Sequence, residues 1–257
     1  MSVAPHEAVS AAIAAARKGG RTALVGFLTA GFPRRERFRD DLAAVAAAAD
    51  VVEVGVPFSD PMADGTTIQR ASFAALANGV TLPWILGEVA AVTATGGAPI
   101  LLMSYLNPLL AYGLERLPRA AAAAGIAGFI VPDLPFEERA ELKAALDREG
   151  LALVQMVTPV TPRERLERLC ADARGFVYAV TMTGTTGKAA AVPDDVLAYM
   201  DRVRAAARVP VCAGFGIRSR EQVDRFAGHV DGVVVGSALV EVLERGEDPR
   251  AFLASLR

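Results

Sequence analysis

The sequence predicts one (β/α)8 TIM barrel over residues 1–257, with a short extra helix at its N-terminus. Three observations predict it. Short apolar runs alternate with segments of helical period from end to end, and 257 residues is a usual length for one such barrel. Most of the runs are continuously apolar, as expected of parallel strands covered on both faces. The rival fold, an open doubly wound sheet, also alternates strand and helix. Here no G-x-G-x-x-G opens the first unit, and the polar residues of interest follow several different strands. In a barrel all those strand ends converge on one face.

The elements follow in order. The N-terminal stretch is Ala-rich but has His6 and Glu7 before it, so it lacks the basic-then-apolar order of a signal peptide and reads as an amphipathic helix ending at Gly19-Gly20. Strands are predicted at 23–29, 51–54, 100–103, 128–131, 151–157, 176–180, 209–213 and 232–235. Helices are predicted at 35–48, 115–124, 137–149, 162–173, 194–206 and 219–227, with another starting near Ser237. Thr161-Pro162 reads as an N-cap followed by a first-turn proline, and Ser219 as an N-cap ahead of Glu221-Gln222. No linker or composition break divides the chain.

Composition excludes several classes of function. A formal net charge of −2 gives no electrostatic reason to expect nucleic acid or an anionic membrane. Although 53% of residues are hydrophobic, no uncharged run is long enough to span a bilayer. Cys170 and Cys212 have no metal-ligand spacing and read as buried free thiols in a cytoplasmic protein. His6 and His229 lie away from the C-terminal ends of the predicted strands, which argues against a His-based triad or a His-ligated metal. None of Lys18, Lys143 and Lys188 lies in a strand, which argues against a buried Schiff-base lysine. Carboxylates remain as the acid–base groups.

The most informative stretch is 51–65. Glu53 sits inside an apolar strand, its neighbours Val52 and Val54 pointing the other way. A buried carboxylate is costly unless paired or used, and burial raises its pKa towards the range of a proton donor and acceptor at neutral pH. The bland alternative is a strand-end salt bridge. Asp60 and Asp64 follow in a loop held by Pro57 and Pro61; for either Asp alone, turn chemistry explains the residue as well. A second cluster is glycine-rich: Thr183-Gly-Thr-Thr-Gly-Lys188, Ala213-Gly-Phe-Gly-Ile217 and Val235-Gly-Ser-Ala238 follow the last three predicted strands. Each glycine alone reads as a turn residue. Three such loops at one end of a barrel point to phosphate, bound by backbone N–H groups and a helix N-terminus. Lys188 reads as a solvated loop lysine.

With these residues in hand, the chain resembles the tryptophan synthase alpha family. Glu53-Val-Gly-Val-Pro-Phe-Ser-Asp-Pro-Met-Ala-Asp-Gly65 looks like its signature, supported in order by Gly26-Phe-Leu-Thr-Ala-Gly31, Leu102-Met-Ser-Tyr-Leu-Asn-Pro108, Val131-Pro-Asp-Leu-Pro-Phe-Glu-Glu138, Gly214-Phe-Gly-Ile217 and Gly236-Ser237. The resemblance spans essentially the whole chain. It implies cleavage of indole-3-glycerol phosphate to indole and glyceraldehyde 3-phosphate. It assigns Glu53 as the acid–base that protonates the indole carbon bearing the side chain, and Asp64 as the acid that holds the indole N–H. Phe27, Leu102, Tyr105, Tyr178 and Phe215 would line the indole pocket, with Thr186 as the loop threonine that packs on Asp64 when the site closes. Gly187, Gly216, Gly236 and Ser237 would hold the phosphate, and Asp133 would be structural or a loop contact. Pro57, Phe58 and Asp60 would meet a β subunit in an α2β2 heterotetramer, with Phe58 as an exposed aromatic anchor. Pyridoxal phosphate would belong to that partner, and no cofactor or metal to this chain. Two positions depart from the family pattern: Phe32 stands where an Asp is common, and Thr185 lies in the closing loop. Three alternatives are weighed: a free-standing lyase of secondary metabolism, another phosphate-binding barrel of the same pathway, and a non-catalytic barrel that regulates a β subunit. The sequence separates the first poorly, and the Glu53 and Asp64 pair argues against the other two.

Overall fold

The computed structural model describes residues 4–181, 192–214 and 216–257. Nine parallel strand segments form one sheet: β1 (Ala23–Thr29), β2 (Val51–Gly55), β3 (Ile100–Met103), β4 (Ile126–Ile130), β5 (Ala152–Leu153), β6 (Gln155–Val157), β7 (Val177–Val180), β8 (Val211–Gly214) and β9 (Gly232–Val235). Their order is β5-β4-β3-β2-β1-β9-β8-β7-β6. The two ends of that order, β5 and β6, are separated in the chain by Val154 alone, so the ring closes through one interrupted strand. The sequence reading has this as a single strand over 151–157. The first half pairs with β4 and the second with β7, and the pairing passes from one neighbour to the other at Val154. The predicted sixth, seventh and eighth strands are thus β7, β8 and β9.

Strand alternation divides the apolar residues into two layers. Val25, Phe27, Val51, Leu101, Ile130, Phe176, Cys212 and Val234 fill the barrel interior together with Val9, Ile13 and Ala16 of α1 (Pro5–Lys18), which closes the N-terminal end. Leu28, Val52, Val54, Leu102, Phe129, Val177, Val233 and Val235 pack outward under the helices. Between the strands lie α2 (Phe38–Ala48), α3 (Thr66–Ala77), α4 (Leu82–Thr93), α5 (Leu106–Tyr112), α6 (Leu117–Ala123), α7 (Ala140–Arg148), α8 (Arg163–Asp172), α9 (Asp194–Ala206), α10 (Arg220–Phe226) and α11 (Ser237–Glu244), and α12 (Pro249–Ser255) ends the chain.

Helix starts differ in detail. The predicted helix at 35 opens with a 3-10 turn, Arg35–Arg37. The one predicted from 137 begins at Ala140, after the turn in which Glu138 N–H bonds Pro135 O at 3.0 Å. Ser219 caps α10 as expected, accepting from Gln222 N–H. Thr161 does not cap α8: Pro162 holds that position, and the Thr161 hydroxyl instead accepts the Thr158 N–H at 3.0 Å. Cys170 and Cys212 are both buried and free. Among the described residues no single helix is long and apolar enough to cross a membrane.

Candidate active site

Glu53 lies on β2 with all of its surface buried, level with Phe27 on β1 and Leu101 on β3. Inner-face alternation sends its side chain into the barrel, as the sequence predicts. Among the described residues neither carboxylate oxygen has a hydrogen-bond partner, which argues against the salt-bridge alternative. Burial, and then the charge of Asp64, raises its pKa from 4.5 to about 8. Asp64, half-buried at the end of the loop after β2, is raised by burial and pulled back down by the Tyr105 hydroxyl. That hydroxyl also accepts the Ala63 N–H at 2.8 Å, so Tyr105 pins the loop just before Asp64. The Gln69 side-chain amide donates to Asp64 O at 2.8 Å from the first turns of α3. The two acids are therefore held in opposite ways, one in an apolar wall and one in a tethered loop.

The aromatic residues gather around them. Phe27 is buried, and its ring fills the space that a side chain at Gly55 would need, with Cζ 2.6 Å from an ideal Cβ there. Tyr178 stacks on Phe176 at 5.9 Å, and its hydroxyl is held strongly protonated by burial first and then by the charges of Glu53, Cys212 and Asp64. Its ring lies over Gly214, where an added Cβ would overlap Cε1. Gly214 is small for the sake of this ring.

Some expected residues stand elsewhere. Leu102 belongs to the outer layer, in register with Val54 and Phe129, because it is one residue out of phase with the inward Leu101 and Met103. Pro57 is buried rather than presented to a partner, and Phe58 is half-buried, stacked on Tyr105 at 5.2 Å. Asp60 is exposed, accepting from its neighbour Ser59 at 2.5 Å. Asp133 is structural: it accepts the Leu106 N–H at 2.9 Å and ties the loop after β4 to the start of α5. Phe32 is buried in the inner cluster with Phe27. Thr186, Gly187, Lys188, Thr185 and Phe215 lie outside the described residues.

Gly236 is the N-cap of α11 and Ser237 its first residue, immediately after β9 and beside β1. An ideal Cβ at Gly236 meets only Phe27 Cβ, at 4.0 Å, and one at Gly216 meets nothing within 4 Å. Both glycines thus leave room in front of the backbone. Two buried hydroxyls escape the sequence reading, Thr29 at the end of β1 and Thr181 just after β7; neither has a partner among the described residues. A lone polar residue closing an apolar strand at the same end as Glu53 is the signal that could have found them. Among the described residues no group of three His, Cys, Asp or Glu side chains converges as a metal site.

The family model for the tryptophan synthase alpha chain matches residues 13–256. The chain belongs to the tryptophan synthase alpha family. It is 47% identical over 239 residues to the tryptophan synthase alpha chain of Solidesulfovibrio magneticus, covering 93% of each chain. It is 44% identical to that of Geobacter sulfurreducens, covering 97% of each. Among solved structures, tryptophan synthase from M. tuberculosis superposes with a TM-score of 0.88 at 36% identity, covering 97% of this chain and 96% of the other. The tryptophan synthase alpha subunit of Legionella pneumophila gives 0.86 at 32% identity, covering 97% and 96%. The barrel class and the family expected from the sequence are thereby borne out. As a tryptophan synthase alpha chain, the protein is a carbon–carbon lyase that cleaves indole-3-glycerol phosphate in tryptophan biosynthesis.

Proposed function

We propose that Glu53 and Asp64 perform the cleavage by carboxylate acid–base chemistry. The observation that carries this reading is Glu53: a fully buried carboxyl with no hydrogen-bond partner among the described residues and a pKa of about 8 is mostly protonated at neutral pH. It delivers its proton to the indole carbon that bears the glycerol chain. Asp64, kept ionisable by Tyr105, accepts the indole N–H and stabilises the positive charge that develops on the ring. The bond to the glycerol chain then breaks. The adjacent hydroxyl becomes the aldehyde as its proton passes to the carboxylate left on Glu53, which returns the acid to its starting form. Phe27, Tyr105 and Tyr178 enclose the indole, and the backbone N–H groups of Gly216, in the loop after β8, and of Gly236 and Ser237, at the start of α11, receive the phosphate.

The reading extends to a β subunit as partner, in an α2β2 assembly that keeps pyridoxal phosphate on the β side, and to a cytoplasmic setting. Its support is the surface at the C-terminal end of the barrel. Met62, Val160 and Leu110 are 82%, 78% and 49% exposed, and all three follow strand ends on this face, as does Asp60. Exposed large apolar side chains on a functional face suit an interface. The test is indole release by the purified chain with and without a matched β subunit. Low activity alone and clear stimulation are expected; full activity alone, unchanged by the partner, would favour the free-standing lyase.

A further inference from the structure

Behind the proposed phosphate site, three side chains from three different elements meet. Arg218 lies two residues after Gly216, Glu241 is one turn inside α11, and Thr67 lies three residues after Asp64 in the first turn of α3. The Arg218 guanidinium donates two parallel bonds to Glu241, Nη1 to Oε2 at 2.7 Å and Nη2 to Oε1 at 2.9 Å, and the Thr67 hydroxyl donates to the same Oε1 at 3.3 Å. A planar fork matched to a carboxylate fixes direction as well as distance. Both partners are about two-thirds or more covered, with 32% and 27% of their side-chain surface exposed, so water screens the pair less than an open surface bridge. Arg218 is held further by its own N–H, which donates to Gln222 Oε1 at 2.7 Å. A second contact joins the same two helices one turn along, where Arg70 of α3 reaches Glu244 of α11 at 2.8 Å. The bonded geometry holds Glu241 below the usual carboxylate range, through Arg218 first and Thr67 as well.

We propose that Arg218, Glu241 and Thr67 form a clasp that fixes the phosphate-receiving loop and helix against α3, the helix that begins two residues after Asp64, which makes Arg218 and Glu241 positioning residues for the cleavage. The inference rests on the reading of Gly216, Gly236 and Ser237 as the phosphate site. A substrate gripped at its phosphate must present its indole N–H to Asp64 at a set separation. The clasp joins the supports of those two grips directly, across α3, α11 and the loop after β8. Arg218 is itself neutralised by Glu241, so its contribution is geometric rather than a free positive charge offered to the ligand.

The test compares the full chain with R218K, E241Q and the R218K/E241Q double variant, using indole-release kinetics and inhibition by two probes, glycerol 3-phosphate and 3-methylindole. R218K keeps the charge but loses the fork; E241Q keeps the shape but loses the charge. Each single variant is expected to raise KM and the glycerol 3-phosphate inhibition constant about 3- to 10-fold, in the lower part of the range of coupling between contacting residues. The double variant should be no worse than either single one, and 3-methylindole inhibition and the unfolding midpoint should stay near the starting values. Unchanged glycerol 3-phosphate inhibition overturns the clasp. So does tighter inhibition in E241Q, which would make Arg218 a direct counter-ion that Glu241 restrains. Parallel weakening of both probes with a lowered midpoint would reduce the contact to a structural strut. If the unaltered chain shows no inhibition by glycerol 3-phosphate, the phosphate site fails and the clasp with it; inhibition in the unaltered chain but no change in the variants sinks the clasp alone.

Discussion

Replacing Glu53 by Gln separates what the carboxyl does for the reaction from what it does to the fold. The substitution keeps size and hydrogen-bonding shape and removes the titration. In the unfolded chain the carboxyl titrates near 4.5; in the barrel wall it titrates at about 8. Ionising it in place therefore costs about 5 kcal/mol more than in water. Below the lower value both states hold the proton and the penalty vanishes. As pH rises from there to about 8, the unfolded state releases the proton while the folded state keeps it, and stability is lost; beyond that the loss is complete. The glutamine variant carries no such penalty. Its advantage over the parent chain should grow from about 1 kcal/mol at pH 5 to about 3 at pH 7 and about 5 at pH 9, over a constant offset for burying the amide. Urea unfolding at the three pH values measures it. The single tryptophan, Trp84, is packed 5.5 Å from Phe38 and reports the transition. The same variant should lose about 10²–10⁴ in turnover. Stability differences that do not change with pH, or near-normal indole release, would refute the assignment of Glu53 as a buried, titrating acid.

The other predictions bear on the rest of the site. Asp64→Asn should slow turnover strongly while glycerol 3-phosphate still inhibits; loss of that inhibition would make Asp64 a structural residue. Tyr105→Phe removes the group that holds the Asp64 carboxyl down, so the acid limb of the kcat profile should move to higher pH, with an unmoved limb counting against the contact. Gly236→Ala meets no protein atom closer than 4.0 Å, so the fold should tolerate it, and glycerol 3-phosphate inhibition should weaken more than inhibition by 3-methylindole. Equal weakening of both would indicate general misfolding. Asp60→Ala and Met62→Ser should reduce stimulation by a β subunit and leave the slow activity of the lone chain in place, as titrations with the partner would reveal; Phe58→Ala should impair both, because Phe58 supports Tyr105.

The barrel was legible because its signal is repetition: apolar strand runs alternate with helical segments along the chain, and the strand centres agree with the structure. Helices without an amphipathic stripe were harder to see. In α4, Leu82-Pro-Trp-Ile-Leu-Gly-Glu-Val, apolar residues fall on nearly every side, and in α5 the Asn107-Pro108 pair reads as a turn although it lies in the first helical turn. Leu102 shows a different limit. The motif Leu101-Leu102-Met103 is equally apolar on both faces, so only the register with Glu53 decides which residues point inward. Glu53 was legible because charge in an apolar strand is conspicuous, whereas Asp64 sits in a turn-like loop and was marked by the family resemblance; the Tyr105 tether and the Arg218–Glu241 clasp join residues far apart in the chain, and nothing local announces them.

The interrupted strand at Val154 makes the ring unequal in strength around its circumference. On one side, β1 shares five register pairs with β2 and four with β9. On the other, β5 holds β4 through two pairs and β6 holds β7 through three. Local opening follows the weakest cooperative unit, so amide hydrogens of 152–157 should exchange with solvent before those of any other strand, and those of β1 and β2 last. The seam lies away from β1, β2 and β9, which carry Phe27, Glu53 and the start of α11. The barrel can therefore breathe at its closure while the strands around the buried acid stay shut, which keeps an unpaired carboxyl out of water without requiring the whole ring to be rigid.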